Sequence, residues 1–285
     1  MILIDGNTLL FKNFHLHTTK NIYNVNNPTL VGFLRSINKY KKLYNVKNEN
    51  IIITFDKGKS KYRKRLLKTY KQQRVKDRKK NNFNWDLYVK HFNDIINVIK
   101  YLYKIIIINN YEGDDIIAYY TINNNNNHDI IIISNDKDLL QLLYNDNIIF
   151  HNIYNNNIIT CYNYKYYTNY DNYNHYLMFK ILNGDKSDNI NKINNNNDIN
   201  IIIRKYDNID NYLKFLKDVN INEYYKVKLN RMLMDLYYFQ NKFGKYLRQK
   251  ITKEENKFKY NPHEAIKNYM QVNGVKHINT LEELL

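Results

Sequence analysis

Four short apolar runs are spaced through the first half of the chain: Met1–Ile4, Ile51–Phe55, Ile105–Ile108 and Ile130–Ile133. Runs this short, mostly β-branched and mostly isoleucine, suit strands buried on both faces, as in a parallel sheet covered by helices. Between them the pattern shifts to helical spacing. Leu9, Leu10 and Phe11 begin one helix-like segment, and residues 29 to 44 carry Leu30, Phe33, Leu34, Ile37 and Tyr40 three to four apart. From Trp85 to Tyr103 the same spacing runs through Trp85, Tyr88, Phe92, Ile95, Ile99 and Leu102, with Lys104 closing the helix. Tyr111–Tyr120 opens another helix, and one runs from Asp138 to about Tyr144. Ile148–Tyr162 alternates loosely, which predicts a hairpin through Asn155–Asn157. Beyond Tyr176–Leu182 the chain reads as helices only: Ile201–Tyr206, Tyr212–Leu216, Tyr224–Phe243 and Glu264–Val272. The asparagine runs Asn123–Asn127 and Asn194–Asn197 read as loops. Strands alternating with helices predict an α/β fold: a central, mostly parallel sheet with helices on both faces, followed by an α-helical C-terminal subdomain.

Charge narrows the function. The 285 residues carry 44 Lys and Arg against 27 Asp and Glu, a formal net charge of +17, so a polyanion is the expected partner. Thirteen of those bases lie between Lys57 and Lys80 with a single acid, Asp77, a net +12 in one segment. Tyr62 and Tyr70 interleave with them, and the spacing puts Lys64, Lys68 and Lys71 on one helical face, with Arg74 one turn beyond Lys71. Solvated helices mix signs at i,i+4 spacing. This one does not, which favours phosphate binding over a solubilising or nuclear-localisation-like run. A single cysteine, Cys161, excludes an internal disulfide and a thiolate zinc cluster. The histidines have no metal-ligand spacing, no apolar run approaches membrane-spanning length, and Met1–Ile4 meets Asp5 too soon for a signal peptide. The abundance of Asn, Ile, Lys and Tyr reflects A/T-rich codons, hence a low-GC genome such as a virus or phage.

The acids supply the chemistry. Apolar runs end at Asp5 and Asp56, and the run at Ile130–Ile133 is followed by Asp136 and Asp138. The helix after Ile105–Ile108 opens with Glu112, Asp114 and Asp115, while Asp185 and Asp188 stand three apart after Tyr176–Leu182. In a parallel sheet all strand C-termini share one edge, where open α/β sheets place their ligands. Taken alone, Asp136 would simply cap the next helix, with Asp138 in its first turn. Converging, six to nine carboxylates raise one another's pKa and need cations. With only oxygen ligands the fitting ions are hard, Mg²⁺ or Mn²⁺. Two such ions about 3.5–4 Å apart clamp a scissile phosphate. Metal-dependent phosphodiester hydrolysis follows as the expected reaction.

These stretches also resemble a known family. M-I-L-I-D-G-N, F-D-K-G-K-S-K-Y-R-K-R-L-L-K-T-Y-K-Q-Q-R, Y-E-G-D-D-I-I-A, I-S-N-D-K-D-L-L-Q-L and G-D-K-S-D-N-I follow in the order of the flap endonuclease/5′→3′ exonuclease family, most closely its T-even phage ribonuclease H branch. The resemblance covers residues 1–190. It implies a 5′-nuclease catalytic core there, with a PIN-like sheet and a basic helical arch at about 57–84, and a helical DNA-binding subdomain at 191–285. It further implies that Asp5, Asp56, Glu112, Asp114 and Asp136 serve one metal site, and Asp138, Asp185 and Asp188 a second, with Asp115 matching a further family acid. Lys71 and Arg74 match the basic pair that meets the scissile phosphate. Lys57, Lys59, Lys61, Arg63, Lys64, Lys68, Tyr70 and Lys76 would bind nucleic acid along the arch.

The implied activity is removal of RNA primers and displaced 5′ ends from DNA and RNA–DNA hybrids during replication or repair. A monomer with two Mg²⁺ ions (Mn²⁺ substituting), working beside a single-strand-binding protein or sliding clamp, is the implied setting, inside the cell and away from membranes. One departure stands out. Most of the family follows D-N-I with a Gly-rich turn that binds potassium and grips the duplex, whereas Asn191–Asp198 contains no glycine. Duplex grip would then rest on lysines of the C-terminal helices or on a partner. A PIN-type endoribonuclease shares the sheet and acids but usually lacks the basic arch and the last acid pair. A non-catalytic binding protein descended from a nuclease would have lost acids, and all are in place here.

Overall fold

The computed structural model describes residues 1–18, 25–75, 83–124, 128–193 and 199–275. Lys76 and most of both asparagine runs lie outside the described residues. The isoleucine runs become strands β1 (Ile2–Asp5), β2 (Ile51–Lys57), β3 (Lys104–Asn109) and β4 (Ile130–Ser134), joined by β5 (Ile148–Asn152) and β6 (Ile158–Ile159). Their order is β3-β2-β1-β4-β5-β6, all pairs parallel except the β5–β6 hairpin. Ile4 pairs with Ile53 on one side and Ile133 on the other, so β1, β2 and β4 finish side by side.

Twelve numbered helices accompany the sheet among the described residues: α1 (Gly6–Thr18), α2 (Pro28–Leu43), α3 (Lys61–Leu66), α4 (Trp85–Ile99), α5 (Gly113–Ile122), α6 (Tyr164–Thr168), α7 (Tyr173–Asn183), α8 (Ile199–Tyr206), α9 (Ile209–Val219), α10 (Ile221–Met234), α11 (Leu236–Glu255) and α12 (Pro262–Asn273). Alternate strand residues face opposite layers. Ile2, Ile4, Ile51, Ile53 and Phe55 pack under α1, α2, α4 and α12. Leu3, Ile52, Ile106, Ile130 and Ile132 pack under α5, α11 and a 3₁₀ helix at Lys137–Leu142. Gly6 is required where β1 turns into α1. A Cβ there would meet the Phe55 ring at 2.5 Å and the Thr54 carbonyl at 2.7 Å.

Several expected boundaries move. Lys104 begins β3 rather than closing α4, because its backbone pairs beside Ile52. The segment after Asp138 forms the 3₁₀ helix. The helix expected over Tyr224–Phe243 is two helices broken at Asp235, whose extended backbone lets its carboxylate cap α11 through the Tyr238 N–H. The basic segment is not one helix either. It leaves α3 at Leu67, turns, and resumes helical backbone at residues 72–75, with Lys71 between at φ 55°. Lys64, Lys68 and Lys71 therefore share no helical face.

The boundary expected at residue 190 passes through a packed cluster. Leu177, Met178 and Ile181 of α7 share it with Ile202, Leu213 and Val227 of α8, α9 and α10. Further on, α11 returns to pack on α5 and β3, and α12 packs on α4. Fully buried Leu247 of α11 joins the same core as Ile116 and Ile132. Leu247→Ala is expected to lower unfolding free energy by about 2–5 kcal/mol, with the sheet and α11 lost in one urea transition. Two separate transitions would show that α11 is not part of the sheet's core.

Candidate active site

Each strand end delivers its acid to the same edge. Asp5 closes β1, and its carboxylate accepts the Thr8 N–H at 3.0 Å, the Thr8 hydroxyl, and the Ser134 hydroxyl from β4 at 2.7 Å. Asp56 near the end of β2 accepts the Gly113 N–H at 2.6 Å. Just after β3, Glu112 is the N-cap of α5 in a reciprocal capping box with Asp115. Asp136 caps the 3₁₀ helix by accepting the Asp138 N–H at 2.8 Å. Capping and a place in the site are thus compatible roles for one carboxylate. Asp185 accepts the Ser187 N–H at 2.7 Å inside a turn closed by hydrogen bonds between Asp185 and Ile190. That turn needs Gly184, which sits at φ 65° and where a Cβ would strike the Asn191 backbone at 2.6 Å.

Glu112, Asp114, Asp136, Asp138, Asp185 and Asp188 line one cleft together with Lys71 and Arg74. Its volume is about 30 Å³, room for ions and water rather than an organic ligand. The carboxylates perturb one another. Burial, then Asp136, Asp5 and Asp56, hold Asp114 well above the usual carboxylate range. Asp136 is pushed up to about 7 by burial and by Asp138 and Asp5. Asp56 keeps an exposed edge, yet burial of its carboxylate and the nearby Glu112 and Asp5 carry it to about 6, against the pull of Lys71.

The chain's own cations offset part of this repulsion. Lys71 Nζ lies 2.8 Å from Glu112 Oε1, Arg74 Nη2 2.7 Å from Asp188 Oδ1, and Lys180 Nζ 2.7 Å from Asp138 Oδ1. Burial works against the Lys71 charge, but Glu112, Asp188 and Asp56 hold its pKa above the ordinary value. Burial likewise opposes ionised Glu112, while Arg63 and Lys71 hold it low. With these pairs made, no three acids among the described residues close on a single point. The donor set is all carboxylate oxygen and contains a buried, mutually repelling core around Asp114, which fits hard divalent cations.

Three expected site residues serve the frame instead. Asp115 is fully buried, and both its oxygens are taken by the Arg63 guanidinium at 2.8 and 3.0 Å, so it is turned away from the cleft as a ligand. Arg63, 4% exposed, also donates to the Leu233 carbonyl at 2.8 Å and lies 3.3 Å from Glu112. It cannot track a nucleic-acid backbone. Tyr70, equally buried, donates to Glu112 Oε2 at 3.1 Å. Lys57, Lys61 and Lys68 are exposed, whereas Lys59 and Lys64 are half-buried. Lys76 lies outside the described residues. Sequence reasoning missed Lys180, Thr8 and Ser134. Lys180 falls in the last turn of α7, five residues before Asp185, but nothing local distinguishes it from the chain's other lysines.

No curated protein matches the chain in sequence. Among solved structures it is similar to bacteriophage T5 flap endonuclease in a pseudo-enzyme-product complex with DNA and metal ions. That match has 21% identity and a TM-score of 0.73, covering 90% of this chain and 97% of the other. It is also similar to T5 5′-exonuclease with zinc bound, at 19% identity and a TM-score of 0.65, covering 100% and 96%. The catalytic core of Rad2 with DNA substrate is a more distant likeness, at 14% identity and a TM-score of 0.50, covering 100% and 91%. These likenesses bear out the α/β fold with its mostly parallel sheet. The model of the 5′-3′ exonuclease N-terminal, resolvase-like domain matches residues 1–171, more than half of the 285 residues, and on that ground the chain belongs to the 5′-3′ exonuclease family.

Proposed function

We propose that this protein is a divalent-metal-dependent 5′→3′ exonuclease and flap endonuclease that hydrolyses phosphodiester bonds near the 5′ ends of DNA and RNA–DNA hybrids. The carrying observation is the cleft where acids from separate segments meet Lys71 and Arg74. Similarity to T5 enzymes solved with DNA and with metal ions supports both substrate and cofactor class. In this reading Asp5, Asp56, Glu112, Asp114 and Asp136 hold one Mg²⁺ or Mn²⁺ ion, and Asp138, Asp185 and Asp188 the other. Such ions supply a hydroxide nucleophile and neutralise the leaving oxygen. Thr8 and Ser134 fix the Asp5 carboxylate, and Arg63 and Tyr70 fix Glu112. Lys71 and Arg74, now neutralising Glu112 and Asp188, are the cations that meet the scissile phosphate.

The biological role that fits is removal of RNA primers and flaps by a phage- or virus-encoded monomer at sites of replication or repair, beside a single-strand-binding protein or sliding clamp. No helix among the described residues is long and apolar enough to cross a membrane.

A 5′-labelled flap substrate and a 5′-labelled blunt duplex, each incubated with Mg²⁺ and with EDTA, test the reading. Mg²⁺-dependent cuts near the flap junction or short 5′ products are expected. Asp136→Ala should reduce cleavage at least about 10²-fold while DNA affinity holds or tightens, because repulsion from phosphate is relieved. Full activity in that variant would sink the metal assignment.

Lys71→Ala should lower kcat by about 10²-fold or more and change Kd little. A change in Kd alone would make Lys71 a phosphate anchor.

Acidity supplies an independent check without metal. Asp136 titrates near 7 in the folded chain and about 3.9 unfolded, so the fold favours its protonated form. Its contribution is complete below about pH 4 and is lost as pH rises through 7. In EDTA, Asp136→Asn should therefore exceed wild type in Tm by several degrees at pH 8, with the gap closing as pH falls from 7 to about 4. Mn²⁺ should then raise the wild-type Tm at pH 8 more than that of the variant. An Asp136→Asn Tm at or below wild type at pH 8 would contradict the crowding of these acids.

A further inference from the structure

A second cavity, of about 250 Å³, backs onto the acidic cleft. Lys61, Tyr62 and Arg65 of α3, Asn110 and Tyr111 after β3, and Phe239, Phe243 and Lys250 of α11 line it. The two spaces share walls. Tyr62 faces this cavity while the next residue, Arg63, lines the acidic cleft, and Tyr111 faces it while Glu112 lines the cleft. The Arg63 guanidinium stands 5.0 Å from the centre of the Phe239 ring between them.

The lining has a definite chemistry. Among the described residues no acid lines it, whereas three exposed cations do. Lys61 and Arg65 make no ion pair among the described residues, and Lys250 lies 5.3 Å over the Tyr111 ring. Tyr62 and Phe243 pack edge to face at 4.6 Å, with Lys242 above both rings. Among the described residues the buried Tyr62 hydroxyl has no hydrogen-bond partner, a condition that a polar ligand atom would relieve. Aromatic walls beneath a ring of bases are the combination that holds single-stranded nucleic acid, with bases on the rings and phosphates on the cations. The volume is below the roughly 300–1,000 Å³ of clefts for drug-sized ligands, a size that suits one nucleobase.

We propose that this cavity is a nucleotide pocket for the single-stranded 5′ segment of the substrate: one base stacks among Tyr62, Tyr111 and Phe243, and its flanking phosphates meet Lys61, Arg65 and Lys250. The inference rests on the nuclease reading above. It adds a site that distinguishes a displaced strand from a paired end without touching the acids. Sharing a wall with the cleft, the pocket takes a nucleotide next to the scissile phosphate rather than a remote one.

The test measures binding in EDTA, so that cleavage plays no part. Fluorescence anisotropy compares a duplex bearing a single-stranded 5′ extension with the same duplex ending blunt, for wild type and for the double variant Arg65→Ala/Lys250→Ala. Affinity for the extended duplex is expected to fall about tenfold or more in the variant and for the blunt duplex less than twofold. The salt slope on the extended duplex should become shallower by about 0.7 for each phosphate that the variant no longer neutralises. Equal losses on both duplexes, or none on the extended one, would overturn the pocket. Photocrosslinking from 4-thiothymidine in the extension to wild-type protein should yield adducts on Tyr62, Tyr111 or Phe243. Adducts confined to other segments would overturn it too, as would inorganic polyphosphate displacing the extension as well as an oligonucleotide does. Wild-type cleavage with Mg²⁺ is scored separately: a chain that binds as expected but cuts nothing refutes the nuclease reading and leaves the pocket standing.

Discussion

The controlling constraint is repulsion among carboxylates gathered at one edge of a parallel sheet. Parallel pairing ends β1, β2 and β4 together, so the acids following them must converge. The chain answers with cations placed at the rim: Lys71 on Glu112, Arg74 on Asp188 and Lys180 on Asp138. Asp114 and Asp136, at the centre, have no such partner among the described residues, and burial there favours their protonated forms. The site is therefore stable as a protein and electrostatically incomplete as an assembly of anions, the condition under which divalent cations bind strongly.

A second buried pair makes that crowding tolerable. Arg63 grips Asp115 with a two-point fork, touches Glu112, and is anchored on the Leu233 carbonyl from α10. It therefore joins α3, α5 and the C-terminal helices at one point. Removing one member of such a pair costs about 3–5 kcal/mol, because the other is left charged in a dry interior. Arg63 thus fixes the Glu112 carboxylate at the cleft while Lys71 and Arg74 remain at its open side. Consecutive stretches of one basic segment divide between the buried frame and the rim of the cleft.

That division explains what was legible in the chain and what was not. The isoleucine runs and the acids closing them are local patterns, and strand pairing carries them intact into the site. Arg63 looks like its neighbours Lys61, Lys64 and Arg65, and its partner Asp115 lies 52 residues away. Burial alone separates their roles, and burial is a property of the fold. The place of Lys71 beside the acids was legible but its backbone geometry was not, since helical spacing does not register a turn that lacks Gly and Pro. The break at Asp235 had a local signal, a residue type that favours helix N-caps, but the apolar spacing on either side masked it. The edge strand's start at Lys104 was hidden because charge is acceptable at a sheet edge.

The turn at Lys71 ties the two groups of acids together. A lysine at φ 55° occupies backbone space that residues other than Gly, Asn and Asp rarely adopt. Here the strain is held by two contacts: its N–H donates to the Asp188 carbonyl at 3.0 Å, and its ammonium reaches Glu112. Glu112 belongs to the acids at the strand ends and Asp188 to the final pair, so one residue spans both. Arg74, three residues on, reaches the Asp188 carboxylate from the same segment. Movement of the basic segment would therefore shift both cations and the Asp188 loop together. The positions of these two cations and the spacing of the carboxylates are coupled through the backbone of this one turn.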